Sequence, residues 1–142
     1  MDKLSVNHIQ RVFAAKREML AEVIAFIEGK LEEAGCPMKT LMQITVAAEE
    51  AFINVASYSY PESEGTVTVD AEITDEPRTL VLTFTDQGIP YDPLAKADPD
   101  VTAAAEDRQI GGLGIYMFKK LMDEVSYEYR DGKNILTMKK SF

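Results

Sequence analysis

Cysteine and histidine are nearly absent: 142 residues contain one of each, Cys36 and His8. A single thiol excludes an internal disulfide framework and suits a reducing compartment. One Cys with one His also cannot complete the tetrahedral ligand set of a structural zinc. Positive charge is scarce too, with 15 Lys and Arg against 24 Asp and Glu and a formal net charge of −9. That balance argues against a nucleic-acid or anionic-membrane surface and fits simple solubility or a basic protein partner. No apolar run is long enough to span a bilayer. The opening MDKLSVNHIQ has no continuous apolar stretch of the kind a secretory signal needs, so the expectation is a cytoplasmic protein. Internal repeats and low-complexity tracts are missing. What remains is ordinary globular composition, 46% hydrophobic and 27% charged, at a length that suits one domain over residues 1–142.

The chain is organised around Thr40–Pro61, TLMQITVAAEEAFINVASYSYP, which reads as one helix. Thr40 is placed to act as N-cap with Gln43 completing a capping box, and Pro61 ends the pattern. Leu41, Ile44, Ala48, Ala51 and Val55 share one face and should meet a core. Glu50, Asn54 and Tyr58 recur every fourth position, so an acid and an amide stand on adjacent turns. Taken alone they read as a solvated polar edge. Glu49 offers a second carboxylate, about a hundred degrees round the helix from Glu50.

On either side the pattern alternates between helix and strand. Residues 4–12 suggest a strand. Residues 14–34 suggest a helix with Leu20, Val23, Ile24, Ile27, Leu31 and Ala34 buried, ended by Gly35 and Pro37. Thr66–Thr74 and Thr79–Thr85 alternate as a hairpin. Residues 87–110 lack any sustained period, a length of loop that is usually functional or mobile. A short helix is expected from Gly112–Gly114 to about Met122. A final hairpin, Val125–Arg130 and Asn134–Lys140, turns at Asp131-Gly132. Blocks of helix and strand predict an α+β fold: a two-layer sandwich of a mixed, mostly antiparallel sheet with helices on one face.

Two further motifs carry chemistry. Asp86 is in phase with Leu80, Leu82 and Phe84, so its carboxylate should point inward, which costs several kcal/mol, roughly, unless donors meet it. A purine amino group would be such a donor, and Gly88 would let backbone approach a flat base. A strand-terminal Asx turn is the plainer reading. Ile110-Gly111-Gly112-Leu113-Gly114 precedes a helix, where free backbone N–H groups can face phosphate oxygens. By itself this glycine run is weak evidence and reads first as a loop connector. It is neither a Walker loop nor a dinucleotide fingerprint, because no Gly-Lys-Ser/Thr follows and no parallel βαβ unit surrounds it.

The order of these signals, with the wording AAEEAFINVASY, DQGIPYDPL and GGLGIYMFKKLMDEV, resembles the GHKL ATPase superfamily with its Bergerat ATP-binding fold. Within it, the chain is most similar to the small anti-sigma factor serine/threonine kinases of bacterial partner switches. Longer gyrase, mismatch-repair and chaperone relatives do not fit the length. A histidine-kinase role would need a phosphoacceptor histidine on a dimerisation helix, and only His8 is present.

The resemblance implies roles position by position. Glu50 would be the general base toward a serine hydroxyl, and Asn54 would hold Mg²⁺ on the triphosphate of ATP. Asp86 would read the adenine amino group with Gly88 beside the base. Gly111, Gly112, Leu113 and Gly114 would line the phosphates, Gly112 and Gly114 through their backbone. Stretch 89–110 would be the ATP lid, with Arg108 either a phosphate partner or a solvated lid residue; Lys96 is the other lid cation. Implied partners are a sigma factor and an anti-anti-sigma protein, and the family commonly forms homodimers. The competing reading is an ATP-responsive binding module of the same fold that transfers no phosphate.

Overall fold

The structure, a computed structural model, describes residues 8–90 and 119–142. Strand β1 (His8–Ala14) opens it, and a 3-10 turn at Arg17–Met19 leads into helix α1 (Leu20–Glu33) and helix α2 (Met38–Tyr58). Strands β2 (Thr66–Thr74) and β3 (Thr79–Asp86) follow. Past a helical end at residues 119–121 come β4 (Glu124–Arg130) and β5 (Lys133–Ser141). The sheet order is β1-β2-β3-β5-β4. Every pairing among the described residues is antiparallel, where the sequence allowed a mixture.

Strict alternation makes the two layers. Val67, Val69, Ala71 and Ile73 of β2, Leu80, Leu82 and Phe84 of β3, and Leu136 and Met138 of β5 are buried in one core. The same core takes Val23, Ile27 and Leu31 from α1 and Leu41, Ile44, Ala48, Ala51 and Val55 from α2. Both helices therefore cover the same sheet face, as the two-layer expectation required. Lys30 also lies on the buried stripe of α1, its ammonium reaching Glu33 at 3.7 Å, an amphipathic stem laid along apolar surface.

Two boundaries differ from the sequence reading, each because a backbone contact overrides local pattern. Residues 14–16 are not helical. Ala14 pairs with Thr66 and Ala15 N–H donates to the Gly65 carbonyl at 2.9 Å, so the sheet claims them first. Helix α1 then ends in a Schellman motif: Gly35 adopts φ 78°, Gly35 N–H donates to Glu32 O and Cys36 N–H to Leu31 O. That leaves a short link before α2, which starts at Met38 with extended Pro37 as its N-cap. The Pro37 carbonyl accepts from Leu41 N–H at 2.9 Å, so the helix is under way before Thr40 and the expected Thr40 cap does not form. Asp131 and Gly132 both have positive φ, 54° and 76°, the requirement of the two-residue turn expected there.

Candidate functional site

The C-terminal end of helix α2 meets the end of β3 through Ser59 and Asp86, and Glu50 and Asn54 lie on the turns of α2 that lead there. Asn54 is 2% exposed. Its Nδ2 donates to the Glu50 carbonyl at 2.8 Å. That back-bond fixes the amide, and it leaves Asn54 Oδ1 buried with no hydrogen-bond partner among the described residues. Such an acceptor costs about 1–3 kcal/mol if nothing meets it. Glu50 is half-buried one turn earlier. Burial first, and the neighbouring Glu49 charge second, push its carboxyl above the ordinary glutamate range. The direction favours a base, since a higher pKa binds a proton more strongly.

Asp86, 2% exposed at the end of β3, has the inward orientation its phase required. Its Oδ1 accepts from Gly88 N–H at 2.9 Å, which is the Asx turn of the plainer reading. The same oxygen accepts from Asn134 Nδ2 at 2.9 Å, and Oδ2 accepts from Ser59 Oγ at 3.0 Å. A carboxylate offers about four acceptor positions, so one on Oδ2 is left for an outside donor. The two readings are compatible: the turn holds the acid that a base could use.

Gly88 is required, and the nearest reason is protein rather than base. A Cβ there would lie 2.1 Å from the Ser59 carbonyl oxygen. The Tyr60 hydroxyl ties the same corner, donating to Thr66 O at 2.7 Å and accepting from Gln87 N–H at 2.8 Å. An open cleft of about 430 Å³ adjoins this turn. Glu50, Asn54 and Asp86 do not line it.

Sequence reasoning missed Ser59 and Asn134. A signal existed for both: Ser59 follows Val55 on the core face of α2, and Asn134 shares the inward parity of Leu136 and Met138. Polar residues at core positions ask for partners. Arg108, Lys96, the glycine run Gly111, Gly112, Leu113 and Gly114, and most of the lid stretch 89–110 lie outside the described residues. Among the described residues no helix is long and apolar enough to cross a membrane.

The donor set fits the groups that the resemblance implies. A neutral amide oxygen suits Mg²⁺, a hard cation that keeps much of its water, and Asn54 Oδ1 is such an oxygen, without a partner among the described residues. An acceptor-only carboxylate suits an amino-bearing base.

The antiparallel five-stranded sheet with two helices on one face, a buried amide on α2 and a buried carboxylate at the end of β3 belong to an ATPase-type domain. The chain belongs to the histidine kinase-like ATPase domain family, whose model matches residues 13–140. It is 30% identical over 95 residues to a serine/threonine-protein kinase, BtrW, of Bordetella bronchiseptica, covering 67% of this chain and 66% of that one. It is 26% identical to an anti-sigma F factor of Clostridium acetobutylicum over 96% of this chain and 94% of that one. To the serine-protein kinase RsbW of Listeria monocytogenes it is 27% identical, over 88% and 82%. A crystal structure of the RsbU and RsbW domains of Rv1364c from Mycobacterium tuberculosis superposes with a TM-score of 0.67 at 17% identity. It covers 94% of this chain and 32% of that longer one, and shows a shared fold.

Proposed function

We propose that this chain binds ATP with Mg²⁺, transfers the γ-phosphoryl group to a serine or threonine of an anti-anti-sigma protein, and binds a sigma factor. The observation that carries this reading is on α2. A buried amide oxygen without a partner among the described residues, Asn54 Oδ1, sits one turn beyond a carboxyl whose affinity for protons is raised by burial, Glu50. Phosphoryl transfer chiefly needs positioning and charge stabilisation, which a metal ligand beside a base supplies. Mg²⁺, when bound, would neutralise charge on the triphosphate. Asn54 would hold it, Glu50 would accept or orient the hydroxyl proton, and Asp86 would take the adenine amino group. Gly88 would keep the Asp86 turn close, while Arg108 and Gly111–Gly114 would serve the phosphates. The names of the relatives support the kinase and anti-sigma roles. One domain over residues 1–142, a homodimer and a cytoplasmic location complete the reading.

The test is direct. Incubated with γ-labelled ATP, Mg²⁺ and lysate of its own organism, the protein should label one small protein. The label should disappear without Mg²⁺ and with Glu50→Gln. Binding of ATP with no labelled protein would replace the kinase by a non-catalytic, ATP-responsive module.

A further inference from the structure

Asp86 is not held by its own turn alone. Opposite it in the β3–β5 register stands Asn134, 2% exposed. Asn134 Nδ2 donates to Asp86 Oδ1 at 2.9 Å and to the Ile89 carbonyl at 2.8 Å. Those two bonds commit both amide hydrogens to atoms that can only accept. From the other side the Tyr127 hydroxyl, on β4, donates to Asn134 Oδ1. The amide therefore has one permitted orientation, because reversing it would set oxygen against carboxylate and NH₂ against a donor. Polarity runs in one direction, from Tyr127 through Asn134 to Asp86.

The consequence falls on the remaining acceptor position of Asp86. With Gly88 N–H and Asn134 Nδ2 on Oδ1 and Ser59 Oγ on Oδ2, every hydrogen-bond partner among the described residues donates. In each of these contacts the Asp86 carboxylate is the acceptor, and the position that remains on Oδ2 suits a donor from a ligand. A base bearing an amino group at this position is bound. A 6-oxo base would bring acceptor against acceptor, and a buried mismatch of that kind discriminates strongly.

We propose that Asn134, oriented by Tyr127, is a positioning residue that holds Asp86 as a pure acceptor and so sets the preference for a 6-amino over a 6-oxo purine nucleotide. The inference rests on the proposed base-reading role of Asp86. Asn134→Asp places a second carboxylate against the first, and two such groups in contact share a proton. A proton offered outward from Asp86 would then suit a 6-oxo group.

The experiment measures affinity for ATP and for inosine triphosphate, which carries oxygen in place of the amino group, on full-length wild type and variants. Wild type should prefer ATP. Asn134→Asp should shrink the ATP-to-inosine ratio about tenfold or more, and Tyr127→Phe, which removes one of the three contacts that orient the amide, should shrink it roughly threefold. A merely structural role would lower both affinities together and leave the ratio unchanged. Tyr127→Phe keeps the ring and tests the same link should Asn134→Asp fail to fold. If Asp86→Asn collapses the ratio while both other variants keep it, the positioning role is overturned and base reading by Asp86 stands. If Asp86→Asn leaves the ratio intact, both readings fall.

Discussion

Ser59 and Gly88 meet backbone to backbone. Ile89 N–H donates to the Ser59 carbonyl at 2.8 Å, and the missing side chain of Gly88 is what lets the two segments approach. With Ser59 Oγ on Asp86, the end of α2 is fastened to the end of β3. The helix that carries Glu50 and Asn54 is thereby held in fixed relation to Asp86.

Gly88→Ala tests that contact. Its Cβ would fall 2.1 Å from the Ser59 oxygen and 2.6 Å from the Ser59 carbonyl carbon. Backbone must move, at a cost of about 1–3 kcal/mol. Thermal unfolding should shift down by several degrees, roughly, and nucleotide affinity should fall with it. An unchanged midpoint would show that the corner is loose.

This corner also marks how far the sequence could be read. The alternation of Thr66–Thr74 and Thr79–Thr85 was enough to place Asp86 inside, because period two decides which face a residue takes. The stripe of α2 likewise gave the buried set from Leu41 to Val55. Ser59 and Asn134 each carried a signal as polar residues at core positions, but that they pair with Asp86 was not legible, since they lie 27 and 48 residues away. The start of α2 was misread for a related reason. Thr40 has the right chemistry for a cap, but Pro37 already supplies the first carbonyl. Local propensity lost to an upstream turn that Gly35 sets by its positive φ.

Asn54→Ala separates function from folding. The substitution removes a buried acceptor without a partner and installs a better helix former, while losing the bond from Nδ2 to Glu50 O. Those effects oppose one another, so stability should stay within about 1 kcal/mol of wild type. The Mg²⁺-dependent part of ATP affinity should vanish. Calorimetry with Mg²⁺ and with EDTA gives the difference, and a retained metal increment would remove Asn54 as the ligand.

Cys36 should be a slow thiol. Burial pushes it up from its ordinary pKa, and Sγ lies 3.6 Å from the Pro37 carbonyl. Less thiolate at neutral pH means slower attack on a disulfide reagent. A stopped-flow measurement should give a rate several-fold below that of a free cysteine, roughly, and a faster rate would contradict the burial.

Glu50→Gln joins chemistry to stability. The Glu50 carboxyl has its affinity for protons raised in the folded state by burial and by Glu49. The folded protein therefore holds this proton more tightly than the unfolded chain. Stability from this group is greatest at low pH and is lost as pH rises through the interval between the unfolded and folded pKa values. At neutral pH the ionised side chain is a modest liability, reduced by its partial exposure to solvent. Gln keeps the shape without the charge. The unfolding temperature of the variant should exceed that of wild type at pH 7, and the two should converge near about pH 4, where glutamate is largely protonated. Nucleotide affinity should survive, because Asn54 and Asp86 are untouched. Phosphotransfer to the partner protein should fall roughly 10²–10⁴-fold, the range for losing a positioned base. In wild type the rate should decline as pH drops through the raised Glu50 value. A Glu50→Gln protein that is more stable yet transfers phosphate at the wild-type rate would leave Glu50 a buried charge without a catalytic task, and Glu49 would become the next carboxylate to test.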